Sequence, residues 1–171
     1  MSTTLQPAAL TSENSHGSGN LTPTTLAEMV RSFAARPELW AAQVQFTEPE
    51  RFYTRLEVTD AHEVWLLTWL PGQGTEIHDH GGASGAFTVV RGALTERTFP
   101  RSPHPVHTTP WELPTESIRA FGPRHTHRVT NLSVEPAVSI HAYSPALAAM
   151  SYYRQLDDGS VELVRTEGVD R

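Results

Sequence analysis

The sequence lacks several features that would place it in common functional classes. It contains no cysteine and no lysine, which excludes a disulfide framework and a thiolate metal site. The net charge is -6 and the 13 basic residues, all arginine, are scattered, which argues against a general nucleic-acid binder. No apolar run approaches the ~20 residues that span a bilayer, and the N-terminus has no signal-peptide pattern. We therefore expect a soluble, cytoplasmic protein that binds neither nucleic acid nor membranes.

The chain length of 171 residues suits one domain with a full core. Residues 1–20 are rich in Ser, Thr, Asn and Gly and show no periodicity, which predicts a flexible tail that includes His16. We expect residues 21–171 to form a single domain.

Two helices are predicted near the start of that domain. Thr22 followed by Pro23 is typical of a helix N-terminus, with threonine as the cap and proline at the first helical position. Apolar residues then recur at helical spacing, at Leu26, Met29, Val30 and Phe33. A second short helix is expected from Pro37, and it includes Leu39 and Trp40.

From about residue 51 the pattern changes to short strands, rich in Val, Thr and aromatic residues and separated by Pro, Gly, Asp and Asn. The predicted strand segments are 51–58, 63–70, 75–80, 85–92, 93–99, 117–123, 127–133, 137–144, 151–156 and 161–166. The segment 101–110, RSPHPVHTTP, is interpreted as a proline-rich loop that holds His104 and His107. Many short strands after a helical start indicate a sandwich or barrel rather than a parallel α/β sheet.

The stretch 72–92, GQGTEIHDHGGASGAFTVVRG, contains His78 and His80, whose side chains share one face in an extended strand. Two imidazoles on one face can hold a metal ion if a third ligand arrives from elsewhere. We expect that third ligand to be His127, which follows a Gly-Pro turn. His125 shares a face with His127 and is its rival.

These residues resemble the two motifs of the cupin superfamily. The first reads Gly72-x5-His78-x-His80, with six residues between position 85 and Gly92, and the second reads His127-x3-Asn131. The resemblance implies a mostly β cupin fold, a double-stranded β-helix or jelly-roll-like barrel, preceded here by the short helices. The usual first motif carries a glutamate ligand where this chain has Gly85, which predicts three neutral imidazoles and no carboxylate. Zinc and iron both accept such a set, so the ligands alone leave the metal open.

Four motifs in order resemble the cysteine dioxygenase family, the thiol dioxygenases among the cupins, over residues 50–146. They are Tyr53-Thr54-Arg55, Ile77-His78-Asp79-His80, His127-Arg128-Val129-x-Asn131 and Ser139-Ile140-His141-Ala142-Tyr143-Ser144-Pro145. The resemblance implies a mononuclear, non-haem Fe(II) held by His78, His80 and His127. It also implies that Arg55 binds the substrate carboxylate and that Tyr53 helps to shape that pocket.

The resemblance implies further that Ser139, His141 and Tyr143 form a hydrogen-bond relay that brings the tyrosine hydroxyl to the metal. It implies a cis peptide bond between Ser144 and Pro145. Animal members carry a cysteine at the position of Gly85, thioether-linked to the tyrosine that matches Tyr143. That crosslink cannot form here, as in many bacterial members of the family.

The activity implied is the oxidation of L-cysteine with O2 to cysteine sulfinic acid. A sister branch that oxidises 3-mercaptopropionate has glutamine where this chain has Arg55, so Arg55 favours cysteine. The alternatives are a dioxygenase for 3-mercaptopropionate or another small thiol acid, and a non-catalytic, metal-bound cupin that binds a small molecule. The expected partners are a small thiol and O2, and the expected state is a monomer or weak homo-oligomer.

Overall fold

The computed structural model describes residues 19–102, 106 and 108–169. The predicted tail lies outside this range, apart from Gly19 and Asn20, and so do His16, His104 and His107. None of the helices in the described ranges is long and apolar enough to cross a membrane.

Helix α1 (Pro23–Ala34) begins as the sequence predicts. The Thr22 side chain accepts a hydrogen bond from the Thr25 backbone N–H at 3.2 Å, and Pro23 occupies the first helical position. One face of the helix is buried through Leu26, Val30 and Phe33. The predicted second helix is replaced by two short 3₁₀ turns, Pro37–Leu39 and Ala41–Gln43, between which Trp40 donates from its indole N–H to the Phe33 carbonyl at 3.1 Å.

The rest of the described chain is built from two packed sheets. The strands are β1 (Tyr53–Val58), β2 (Glu63–Trp69), β3 (Ile77–Asp79), β4 (Ser84–Arg91), β5 (Ala93–Thr98), β6 (Trp111–Pro114), β7 (Ile118–Phe121), β8 (His127–Thr130), β9 (Ala137–Ser144), β10 (Ala149–Gln155) and β11 (Val161–Gly168). One sheet has the order β1-β2-β9-β4-β7, and the other has the order β11-β10-β3-β8-β5-β6. This arrangement confirms the predicted mostly β cupin fold.

Strand β9 shows how the alternation along a strand separates the two layers of the core. Its odd-numbered residues Ser139, His141 and Tyr143 face the space between the sheets, whereas Val138, Ile140 and Ala142 pack under α1. Because both faces of β9 are covered, all eight of its residues are buried. The helix therefore closes the outer face of the first sheet and leaves its inner face to the site.

The sequence failed to predict strand β6, which lies directly after the proline-rich segment. It pairs with β5 at the edge of its sheet, with Ala93 opposite Pro114. An edge strand tolerates proline because one side of its backbone has no neighbour that needs the missing N–H. The segment 111–114 had no assigned element in the sequence analysis, because it is short and ends at Pro114, which composition does not associate with a strand.

Candidate metal centre

Three histidines meet between the two sheets. His78 lies on β3, His80 follows that strand, and His127 opens β8, where it pairs directly with His78 across the ladder. The candidate ligand atoms of the three residues lie within 4.8 Å of one another, and all three side chains are buried. The structure thus brings together the three residues that the sequence singled out.

Two of these rings have one nitrogen engaged outside the cluster. The Nδ1 of His78 donates to the Glu76 carbonyl oxygen at 2.9 Å, and the Nδ1 of His127 lies 2.7 Å from a carboxylate oxygen of Glu96. Since a carbonyl or carboxylate oxygen only accepts here, Nδ1 carries the hydrogen in both rings. The Nε2 atom of each ring therefore keeps a lone pair for a metal ion.

His80 gives a separate indication that this cluster can hold a metal ion. Both its ring nitrogens are buried and have no hydrogen-bond partner among the described residues. Buried polar atoms in folded proteins are nearly always paired, so an unpaired imidazole beside two others fits a metal ligand. Burial, followed by repulsion between the histidines, holds the pKa of His78 and of His80 well below its usual value. The neutral imidazole is the form that binds a metal.

A carboxylate stands directly behind this trio. Glu96 on β5 is buried, and its carboxylate receives hydrogen bonds from His127, from His125 Nε2 at 2.9 Å and from Arg119 Nε. Burial alone would raise the pKa of Glu96, but the hydrogen bonds from these three neighbours outweigh it and hold the pKa far below the usual range. The three histidines include no anionic group, and the nearest one is the Glu96 carboxylate, which is hydrogen-bonded to His127.

His125, the rival of His127 in the sequence, sits on the Glu96 side of this arrangement. It forms a second cluster of possible ligands with Glu96 and His127, and it is absent from the cluster of His78, His80 and His127. Its ring stacks on Phe121 with centroids 4.4 Å apart. Its position is therefore that of a support for the carboxylate.

Ser139, His141 and Tyr143 form a continuous chain of hydrogen bonds. Ser139 Oγ lies 2.8 Å from His141 Nε2, and His141 Nδ1 lies 3.2 Å from the Tyr143 hydroxyl. The chain begins at Trp69, whose indole N–H donates to Ser139 Oγ at 2.9 Å. The sequence analysis did not identify Trp69 as part of this chain.

Trp69 fixes the direction of these bonds. An indole N–H can only donate, so Ser139 Oγ accepts from it. The only other partner of this buried hydroxyl among the described residues is His141 Nε2, so the Ser139 hydrogen is satisfied only if it is donated to that nitrogen. His141 Nδ1–H then donates to the Tyr143 oxygen, and the tyrosine keeps its own hydrogen to donate. Burial, followed by electrostatic interactions with His127 and Arg51, lowers the pKa of His141 to about 3, and burial raises the pKa of Tyr143. Both groups are therefore neutral at physiological pH.

The position of Gly85 is closed by its neighbours. A Cβ atom there would lie 2.5 Å from the Phe121 ring and 3.0 Å from Cδ1 of Tyr143. The Phe121 ring is itself held between His80, with centroids 5.0 Å apart, and His125. The aromatic ring occupies the volume that a side chain at position 85 would need.

Arg55 and Tyr53 lie on β1, on the inner face of the first sheet. Arg55 pairs with Trp65, which in turn pairs with His141, so the relay and the arginine share this face. The Arg55 guanidinium lies 4.6 Å from the Trp65 ring centroid, and its Nε is 3.5 Å from Glu63. Tyr53 is 60% exposed, at the rim. The Ser144–Pro145 bond is cis, as expected, and a second cis bond joins Glu48 and Pro49.

Comparisons with known proteins identify the family to which the chain belongs. The family model described as Cysteine dioxygenase type I matches residues 20–156. Cysteine dioxygenase type 1 of Danio rerio is 27% identical over 74% of this chain and 67% of its own length. The Homo sapiens protein is 28% identical over 68% of this chain and 62% of its own length, so the match spans less than two thirds of that relative.

Solved structures resemble the fold. A double-stranded β-helix protein from Klebsiella pneumoniae superposes with a TM-score of 0.54 at 17% identity, covering 73% of this chain and 93% of its own. A cupin superfamily protein from Desulfitobacterium hafniense gives a TM-score of 0.51 at 10% identity, covering 62% and 87%. The fold is that of the cupins, and the chain belongs to the cysteine dioxygenase type I family.

Proposed function

We propose that this protein is an Fe(II)-dependent thiol dioxygenase that oxidises L-cysteine with O2 to cysteine sulfinic acid. The observation that carries the proposal is the buried trio of His78, His80 and His127 beside Tyr143, whose ring centroid lies 4.9 Å from that of His80 and whose hydroxyl ends the relay. In the reaction the thiol RSH gains both atoms of O2 and becomes RSO2H, and no further oxidant is needed.

The ligand set suits a substrate that brings its own negative charge. Three neutral imidazoles leave the full +2 charge of a divalent ion, which favours an anionic donor such as a thiolate. When bound, Fe(II) supplies the redox chemistry that activates O2 toward sulfur. Glu96 would hold His127 in the Nδ1–H tautomer and in a fixed orientation, as carboxylates commonly do behind metal-binding histidines.

The other proposed roles belong to side chains that face the same space. Arg55 would bind the substrate carboxylate through its planar guanidinium, a group suited to two parallel hydrogen bonds, and Tyr53 would border that pocket. Tyr143, oriented by His141 and Ser139, would donate its hydroxyl hydrogen into the site. Because the relay is buried and neutral, it holds that proton in place rather than exchanging it with bulk water.

Oxygen consumption by Fe(II)-loaded protein tests the proposal. Cysteine and 3-mercaptopropionate are offered separately, and the product is identified by mass. We expect uptake with cysteine and a product heavier by two oxygen atoms. His80→Gln should abolish uptake and lower the iron content, whereas His62→Gln, which removes a histidine paired with Glu57 outside the site, should change neither.

Other outcomes are equally informative. Uptake with 3-mercaptopropionate alone would retain the dioxygenase reaction and overturn the cysteine assignment drawn from Arg55. Iron bound at one per chain without uptake for either thiol would overturn the enzymatic proposal in favour of a metal-bound cupin that binds a small molecule.

A further inference from the structure

The outer face of the second sheet carries a positively charged cluster that the proposed reaction does not use. Side chains alternate along β8, so His127 and Val129 are buried, whereas Arg128 and Thr130 lie on the opposite face of the strand. Arg128 belongs to a motif that resembles the cysteine dioxygenase family, yet its side chain is exposed and points away from the histidine cluster. The metal centre therefore gives this arginine no role.

Two neighbouring residue pairs of the β5–β8 ladder bring four side chains that can donate hydrogen bonds to this outer face. Arg97 pairs directly with Arg128, and Thr95 pairs directly with Thr130. Side chains directly opposite each other lie about 5 Å apart, and successive pairs on one face lie about 7 Å apart along the strands. Four donors from two strands thus surround one small area of the surface.

The two arginines are not balanced by acidic groups in the described part of the chain. Neither arginine forms a side-chain hydrogen bond or an ion pair with another described residue. Glu112 pairs with Thr95 on the same face, but it forms no ion pair with either of them. Like charges directly opposite each other destabilise an antiparallel pair, and within one Debye length salt screens this repulsion only in part. A dianion bound between the guanidinium groups would replace the repulsion with attraction.

The cluster lies in a groove rather than on a flat surface. The groove has a volume of about 430 Å³, and the residues that line it include Arg97, Arg128, Thr95, Thr130 and Gly74. Gly74 bridges to Thr130, and a Cβ atom at Gly74 would lie 2.8 Å from Thr130 Oγ1. The absence of a side chain at Gly74 therefore leaves this hydroxyl uncovered.

The surroundings of Arg97 fix the direction of its guanidinium group. The guanidinium carbon lies 5.4 Å from the Phe99 ring centroid, and the Nε atom is buried. The terminal Nη groups are thus the part of Arg97 that is left for a ligand, and the exposed Arg128 faces them from β8. Guanidinium groups are suited to phosphate-type oxyanions, which accept paired hydrogen bonds from them.

We propose that Arg97 and Arg128, together with the hydroxyls of Thr95 and Thr130, form a binding site for a phosphate-type dianion on the outer face of the second sheet. The ligand is either a free tetrahedral dianion or the phosphate group of a small metabolite. The site is independent of the proposed thiol dioxygenase function, and it lies on the face of β8 opposite to His127. The competing view is that two solvated arginines bind anions no better than any exposed cation does.

Titration calorimetry on the Fe(II)-loaded full chain tests the site with three anions at constant ionic strength. Sulfate represents a free dianion, glycerol 3-phosphate represents a phosphate monoester, and acetate is the monoanion control. We expect one dianion to bind per chain, and acetate to bind at least about tenfold more weakly, because it offers fewer charge-assisted hydrogen bonds. Tighter binding of glycerol 3-phosphate than of sulfate would assign the site to a metabolite, and the reverse order would assign it to a free anion.

Variants locate the binding on the protein. Arg128→Gln should raise the Kd for the dianion about 10- to 100-fold, the range for a lost charge-assisted hydrogen bond. Arg154→Gln changes the net charge equally, at an exposed arginine of the same sheet that is paired with Glu162, and should leave the Kd within about twofold. His80→Gln should also leave the Kd unchanged, because the anion does not bind at the metal centre.

Folding is checked by urea titration. Arg128→Gln removes a contact between like charges, so the urea midpoint should not fall. If this variant nevertheless unfolds, Arg128→Lys keeps the charge without the paired N–H groups and should weaken binding by a smaller factor. The inference would be overturned by absence of binding for both dianions, by equal binding of acetate, or by equal losses for Arg128→Gln and Arg154→Gln. Binding that is lost in His80→Gln and kept in Arg128→Gln would place the anion at the metal centre and would overturn it as well.

Discussion

Replacement of Glu96 by glutamine tests whether the carboxylate behind His127 sets the strength of metal binding. In the native site one carboxylate oxygen receives both His127 and His125, and the other receives Arg119. Glutamine has nearly the same size, but one of its two terminal atoms is an NH2 group. Whichever way the amide is turned, at least one N–H of these neighbours then faces another donor. The change thus removes the negative charge and a matched acceptor while the cavity stays filled.

The expected loss of metal affinity can be taken from other proteins in which a carboxylate hydrogen-bonds a metal-binding histidine. Removal of such an outer carboxylate typically weakens metal affinity about 10- to 100-fold, or about 1.4 to 2.8 kcal/mol. We expect a fall in this range for Glu96→Gln, because the His127–Glu96 contact is 2.7 Å long and the carboxylate is 1% exposed, out of reach of competing water. The assay is competition with a chelator of known affinity for Fe(II), under anaerobic conditions.

Glu112→Gln provides the matched control. Glu112 lies on the neighbouring strand β6, is exposed, and belongs to neither histidine cluster. It should leave the Kd for Fe(II) unchanged. A change of less than twofold for Glu96→Gln, in protein shown by circular dichroism to be folded, would refute the view that Glu96 positions His127.

Three further predictions concern the relay, the packing and the effect of pH. Trp69→Phe keeps the ring but removes the indole N–H, so kcat should fall about two- to tenfold at constant iron content; an unchanged kcat would contradict the direction assigned to the relay. Gly85→Ala should lower the free energy of unfolding by about 1–3 kcal/mol in urea, because its Cβ meets the Phe121 ring, whereas Gly122→Ala, with open space around it, should cost far less. In the metal-free protein, the buried His141 has a pKa of about 3 against 6.5 when unfolded, so the unfolded chain binds the proton first. Stability should therefore fall by about 1.4 kcal/mol per pH unit for this group as pH drops below 6.5, and His141→Asn should show a shallower slope in urea titrations at several pH values.

The sequence predicted those features that depend on local pattern. Thr22-Pro23 marks the start of α1 correctly, because cap and proline act within one turn. The spacing of His78 and His80 predicted a shared face, and the motif that resembles the cysteine dioxygenase family implied the relay of Ser139, His141 and Tyr143, whose hydrogen bonds are present.

Other features depend on contacts between distant segments and escaped prediction. Glu96 shares its face of β5 with the buried Leu94, and its contact with His127 appears only when β8 pairs with β5. The alternation of Leu94 and Glu96 was the available indication that this glutamate points inward. The contribution of Trp69 required the pairing of β2 with β9, and this pairing has no local signature in the sequence.

The packing of Phe121 over Gly85 constrains how this chain could change. A cysteine at position 85, the residue needed for a thioether to the tyrosine, would place its Cβ 2.5 Å from a ring held between His80 and His125. One substitution would therefore disturb a proposed metal ligand before any crosslink could form. A smaller residue at position 121 would have to come first, and it would leave a void beside two histidines. The glycine at position 85 thus keeps Tyr143 without a crosslink, because a single change to cysteine would yield a less stable protein.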